Sequence, residues 1–124
     1  MTQDLMKDSG DDFLELLEQI GLEDAAGLKK AAQSYGNSWK KRGGVGAFMM
    51  LARKWDRLEN YLPKVAYDIF KALAEDTRSE GVIDDIRDLR RYLMLVEAEM
   101  RARGFSATHR DNLVTAGTTE GLTK

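Results

Sequence analysis

Residues 82–100 read VIDDIRDLRRYLMLVEAEM, and this run decides the fold class. Val82, Ile86, Leu89, Leu93, Val96 and Met100 step by 4, 3, 4, 3 and 4. That spacing lays an apolar stripe along one side of an α-helix, which needs a helical partner to cover it. Gly104 closes the helix. Upstream, Phe48, Leu51, Trp55, Leu58 and Leu62 step by 3, 4, 3 and 4, predicting a helix over 45–61 with Trp55 in its buried seam. Pro63 suits the first turn of a following helix over 64–75, with Val65, Ile69 and Leu73 inward.

Towards the N-terminus, Asp11 or Asp12 can cap a short helix with Phe13, Leu14, Leu17 and Ile20 on its apolar side, ended by Gly21. A second helix over 23–34 would turn Ala25, Leu28, Ala31 and Ala32 inward, small enough to let a neighbour come close. No segment alternates with period two. The expectation is an all-α protein: a compact bundle of about five helices forming one domain over 1–104. Residues 105–124, rich in Thr and Gly, read as a flexible tail or an arm that orders on a partner.

The chain has 124 residues, 43% of them hydrophobic and 32% charged, enough for a real core. A formal net charge of −2 argues against bulk nucleic-acid binding. The absence of cysteine excludes disulfides, thiolate chemistry and cysteine-based zinc sites. No apolar run approaches the roughly 20 residues that span a bilayer. The acidic, polar start MTQDLMKDSGDD is unlike a signal peptide, so a cytoplasmic location is expected.

Charge is unevenly placed. Residues 40–57 hold Lys40, Lys41, Arg42, Arg53, Lys54 and Arg57 against Asp56 alone. Residues 75–88 hold six carboxylates against Arg78 and Arg87. The basic region includes Tyr35-Gly36-Asn37-Ser38-Trp39 and a Gly-rich turn, Gly43-Gly44-Val45-Gly46. A turn of this kind opening a helix can aim free backbone N–H groups at an anion. Tyr35, Ser38, Trp39, Lys40, Arg42, Gly43 and Gly44 are therefore candidates for a phosphorylated ligand, with Trp39 as a stacking surface. No Gly-Lys-Ser/Thr follows, so this is no Walker A motif, and a solvated interhelix loop accounts for the same residues.

Arg53, Lys54 and Arg57 share one side of their helix and repel unless an anion faces them. A ligand phosphate would serve. So would Asp84, Asp85 and Asp88, which would make a structural ion-pair network. Asp85, Asp88 and Tyr92 are spaced i, i+3, i+7 beside the apolar stripe, where carboxylates can hold Mg²⁺. Acidic residues also favour a helix start for dipole reasons alone. Glu15 and Glu18 form a second acidic pair. His109, in the expected tail, is assigned no chemistry.

As an ordered set, the Tyr35–Trp39 segment, the Gly-rich turn, Arg53-Lys54-x-x-Arg57 and Asp84-Asp85-x-x-Asp88-Leu89-x-x-Tyr92 resemble an all-helical phage family, nucleotide-modification-associated domain 1. The resemblance spans about half the chain and implies a phage origin, in a host cytoplasm, and a link to nucleotides. Asp85-x-x-Asp88 is also similar to an acidic pair of the all-α nucleotide pyrophosphohydrolases of the MazG and dUTPase-like group. That resemblance implies Mg²⁺-dependent hydrolysis of nucleoside triphosphates, with Glu15-x-x-Glu18 standing in for the other pair. Where that group has a close upstream acidic pair, this chain has Arg53, Lys54 and Arg57.

Three functions follow. The first is a homo-oligomeric protein that binds and sequesters a nucleotide-derived signal of host antiviral defence, needing no cofactor. The second is a Mg²⁺-dependent pyrophosphohydrolase. The third is a non-enzymatic interaction module, in which Arg53, Lys54 and Arg57 pair internally.

Overall fold

A computed structural model describes the backbone of residues 2–104 and the side chains of residues 10–104. The elements in order are α1 (Thr2–Tyr35), a 3-10 turn (Ser38–Lys40), α2 (Gly43–Tyr61), a second 3-10 turn (Leu62–Val65), α3 (Ile69–Glu75) and α4 (Val82–Ala102). The protein is all-α, with four α-helices among the described residues instead of five. The expected tail, with His109, lies outside the described residues.

The count differs because Gly21 does not end a helix. A glycine inside a helix costs only about 1 kcal/mol against alanine. Strong helix formers flank it on both sides, so the expected helices at 11–20 and 23–34 are one continuous α1. The stop comes at Gly36, whose φ of 58° is left-handed and whose N–H donates to the Ala32 carbonyl at 2.9 Å.

The chain divides into two compact units, Met1–Gly46 and Ala47–Lys124. In the first, Phe13, Leu14 and Leu17 on α1 stand 61%, 56% and 51% exposed, while the carboxylate of Asp24 is buried. The 3-10 turn holds Trp39 and Lys40, and Gly43, at φ 75°, opens α2.

In the second unit, Leu58, Val65, Ala72 and Val82 form the core, with Tyr61, Leu62, Ile69, Ile86 and Leu89 packed against it. The buried line on α2 runs through Ala47, Leu51, Lys54 and Leu58. It lies beside the expected seam, of which Phe48 and Trp55 are 64% and 53% exposed. Trp55 is therefore a surface residue, its indole N–H donating to Glu59 at 3.1 Å. Lys54 is drawn to the inner side because Asp88 on α4 pairs with it at 3.0 Å.

The expected helix over 64–75 is shorter at its start. Ala66 and Tyr67 adopt left-handed φ values of 55° and 63°, which no helix continues through. Asp68 then caps α3 by accepting from the N–H groups of Phe70 and Lys71 at 3.1 and 3.2 Å. With the helix restarted at Ile69, Ala72 faces the core and Leu73 is exposed. On α4, Val82 is buried and Ile86, Leu89 and Val96 are half-buried, whereas Leu93 and Met100 are exposed.

Candidate functional site

The densest polar geometry surrounds the start of α4. Asp76, just before it, is a hub. Its carboxylate accepts from the Arg78 N–H at 3.1 Å, Arg78 Nε at 2.9 Å, Arg78 Nη2 at 2.8 Å and the Val82 N–H at 2.7 Å. The Arg78 guanidinium, through these bonds, holds the Asp76 carboxyl far below the usual carboxylate range, against the opposing effect of burial. Asp76 in turn raises Arg78. The approach is close: a Cβ on Gly81 would lie 2.9 Å from Asp76 Oδ2. Glycine at 81 is therefore a packing requirement.

Arg78 also lies over the Tyr61 ring, 4.2 Å from its centroid, in a cation–π contact. Its Nη2 is 4.0 Å from Asp85 Oδ2. Asp85 is 1% exposed, and its Oδ1 accepts from Arg57 Nε at 2.6 Å. Arg57 Nη2 donates to the Glu80 carbonyl at 3.0 Å. One arginine of α2 thus fastens both the first turn of α4 and the loop before it. The hydrogen bond and charge of Asp85 raise the Arg57 pKa.

The other acidic residues of α4 are also engaged. Asp84 accepts the Gly81 N–H at 2.9 Å, satisfying a helix-start donor, and pairs with Arg87 at 3.4 Å. Asp88 pairs with Lys54 at 3.0 Å and Arg87 at 3.4 Å.

The structure thus brings Lys54, Arg57, Asp84, Asp85 and Asp88 together in the second unit, each facing an opposite charge. Tyr92 is half-buried on α4. Arg53 is exposed, with no ion-pair partner among the described residues. The remaining candidates lie in the first unit. Tyr35, Ser38, Arg42, Gly43 and Gly44 are exposed, and Trp39 is half-buried with Lys40 Nζ 5.9 Å from its ring centroid.

Among the described residues no group of three or more acidic or histidine side chains is placed to hold a metal ion. The surroundings of Asp85 also suit a cation poorly, because Arg57 and Arg78 already supply positive charge there. These residues do not fit Mg²⁺. No described helix is long and apolar enough to cross a membrane.

Asp76, Arg78, Tyr61 and Gly81 escaped the sequence reading. The readable signal was Asp76-x-Arg78 just ahead of a helix start: aspartate bonds backbone N–H groups a few residues on and fixes the turn. The buried Asp24 gave no such signal. No family model, curated protein or solved structure matches this chain.

Proposed function

We propose that this protein is a non-enzymatic helical interaction module, acting by binding polypeptide. One observation carries the reading. Two of the three candidate cations of α2 face candidate carboxylates of α4, as Arg57–Asp85 at 2.6 Å and Lys54–Asp88 at 3.0 Å, while Arg53 stands exposed. Large apolar side chains are meanwhile left outside: Phe48, Tyr67, Phe70, Leu73 and Ile83 are each more than 60% exposed. Apolar surface on this scale supports a binding role.

A second reading keeps nucleotide binding in the first unit. Lys41 and Arg42 are exposed, have no ion-pair partner among the described residues, and precede the glycine start of α2. Here the protein would sequester a nucleotide-derived signal, with Trp39 stacking on the base.

The test is a thermal-shift panel of nucleotides, cyclic nucleotides and ADP-ribose-type signals, with and without Mg²⁺. Each sample is then denatured and the released compound identified by mass spectrometry. The module reading expects no shift. A shift with the compound returned intact favours sequestration, and Mg²⁺-dependent release of monophosphate and pyrophosphate favours hydrolysis.

A further inference from the structure

Six exposed charges of α1 are unevenly placed along it, apart from Asp4, Lys7 and Asp8 near its start and Glu23 and Asp24 near its middle. Asp11, Asp12, Glu15 and Glu18 occupy the first part and Lys29 and Lys30 the last. All six are exposed, and none has an ion-pair partner among the described residues. The helix dipole does not account for them, because its influence is confined to the terminal turns. The helix begins at Thr2, more than two turns before Asp11, and has no basic residue in its last turn.

One face of α1 joins this asymmetry to shape. Asp11, Leu14, Glu18, Leu22, Ala25 and Lys29 step by 3, 4, 4, 3 and 4, and every one is exposed. The face turns away from Asp24, the buried residue of the helix. Leu22, at its midpoint, is 73% exposed, and Leu14 is 56% exposed. The bulky residue and acids lie on one side of Leu22, and the small residue and the cation on the other.

Such a face is complementary to itself when turned end for end. We propose that α1 pairs antiparallel with α1 of a second copy of this chain, across a two-fold axis at Leu22. Leu22 meets its own copy on the axis. Glu18 comes over Ala25 and Ala26 of the other copy, whose methyl side chains leave room, and Lys29 lies opposite Glu15 of the other copy, within about one turn of its Glu18. A two-fold operation makes each contact twice and closes the assembly at a dimer. A parallel pairing would set acids on acids and lysines on lysines. This inference rests on the interaction-module reading and names its partner as a second copy.

The test uses the full chain in sedimentation equilibrium, from micromolar to near-millimolar protein. The wild type is expected to form a dimer. Glu18→Lys alone and Lys29→Glu alone each weaken it by tenfold or more. An equal mixture of the two variants forms a heterodimer, and both changes in one chain restore the homodimer. Helical circular dichroism of each variant guards against misfolding, and the mixture shows directly that each variant remains competent.

Because the chain has no cysteine, Leu22→Cys gives a clean second readout. It forms an interchain disulfide on oxidation. Tyr35→Cys does not, since antiparallel pairing holds the two copies of residue 35 roughly 40 Å apart. Crosslinking of Tyr35→Cys as readily as Leu22→Cys overturns the antiparallel arrangement. A dimer indifferent to both charge reversals overturns the α1 surface while leaving the interaction-module reading in place. A wild type that stays at the 14.0 kDa protomer mass throughout overturns the dimer itself. The module reading then stands or falls on the nucleotide panel.

Discussion

Arg57 on α2 donates from Nε to the carboxylate of Asp85 on α4 at 2.6 Å, across 28 positions of sequence. The two are unequally exposed, Arg57 at 36% and Asp85 at 1%. Burying a carboxylate is costly unless a cation is paired with it, and Arg57 is that partner.

Arg57→Ala should therefore destabilise the fold by about 2–3 kcal/mol. This is below the roughly 3–5 kcal/mol of a fully buried pair, because the guanidinium is partly in water. Adding Asp85→Ala to Arg57→Ala should cost less than the two single losses summed, since no orphan charge remains. Urea denaturation of the four proteins measures this coupling. Strict additivity would mean that the pair contributes nothing.

Asp76 sets an acid limit. Its folded-state pKa is depressed, chiefly by Arg78. The stabilisation is therefore fully present above the unfolded aspartate value, about 3.9, and is lost as pH falls through the folded value. The melting temperature should be insensitive to this group between about pH 5 and 8 and should drop below about pH 4. In Asp76→Asn the whole profile should lie lower, with a shallower acid limb. An unchanged acid limb in that variant would contradict the hub.

Two glycines should respond in opposite directions. Gly81→Ala places a Cβ against Asp76 Oδ2 and should cost about 1–2 kcal/mol by disturbing the bond to the Val82 N–H. Gly21→Ala meets nothing within 4 Å and sits inside α1, so it should stabilise by up to about 1 kcal/mol. Thermal melts of both variants decide the matter.

The inner side of α2 can be checked by two substitutions. Leu58→Ala removes a side chain that is 4% exposed and should cost about 2–5 kcal/mol. Trp55→Phe changes a side chain that is 53% exposed and should stay within about 0.5 kcal/mol. A large loss at Trp55 would show that it is covered in solution, by a partner or a second copy.

The sequence by itself determined the all-α class, the extent of α4 and the end of α2, whose start lies at Gly43 instead of residue 45. Those rest on local spacing, on the absence of interior proline and on glycine at helix ends, all of which act within a few residues. It also raised neutralisation of Arg53, Lys54 and Arg57 by the acids of α4 as one of two readings, without saying which cation meets which acid. Lys54 and Arg57 are so paired, and Arg53 has no such partner among the described residues.

Tertiary structure decided the rest. The run of α1 through Gly21 is the exception, a local outcome in which strong helix formers on both sides outweigh one glycine. Tertiary packing chose between two adjacent sides of α2, burying the line of Ala47, Lys54 and Leu58 over that of Phe48 and Trp55. Apolar periodicity could not anticipate that choice, since a lysine is drawn inward only when Asp88, far along the chain, is there to receive it. It also gathered Asp76, Arg78, Tyr61 and Asp85 around one turn. Burial and ion pairing depend on such distant partners, and a spacing rule reads only near ones.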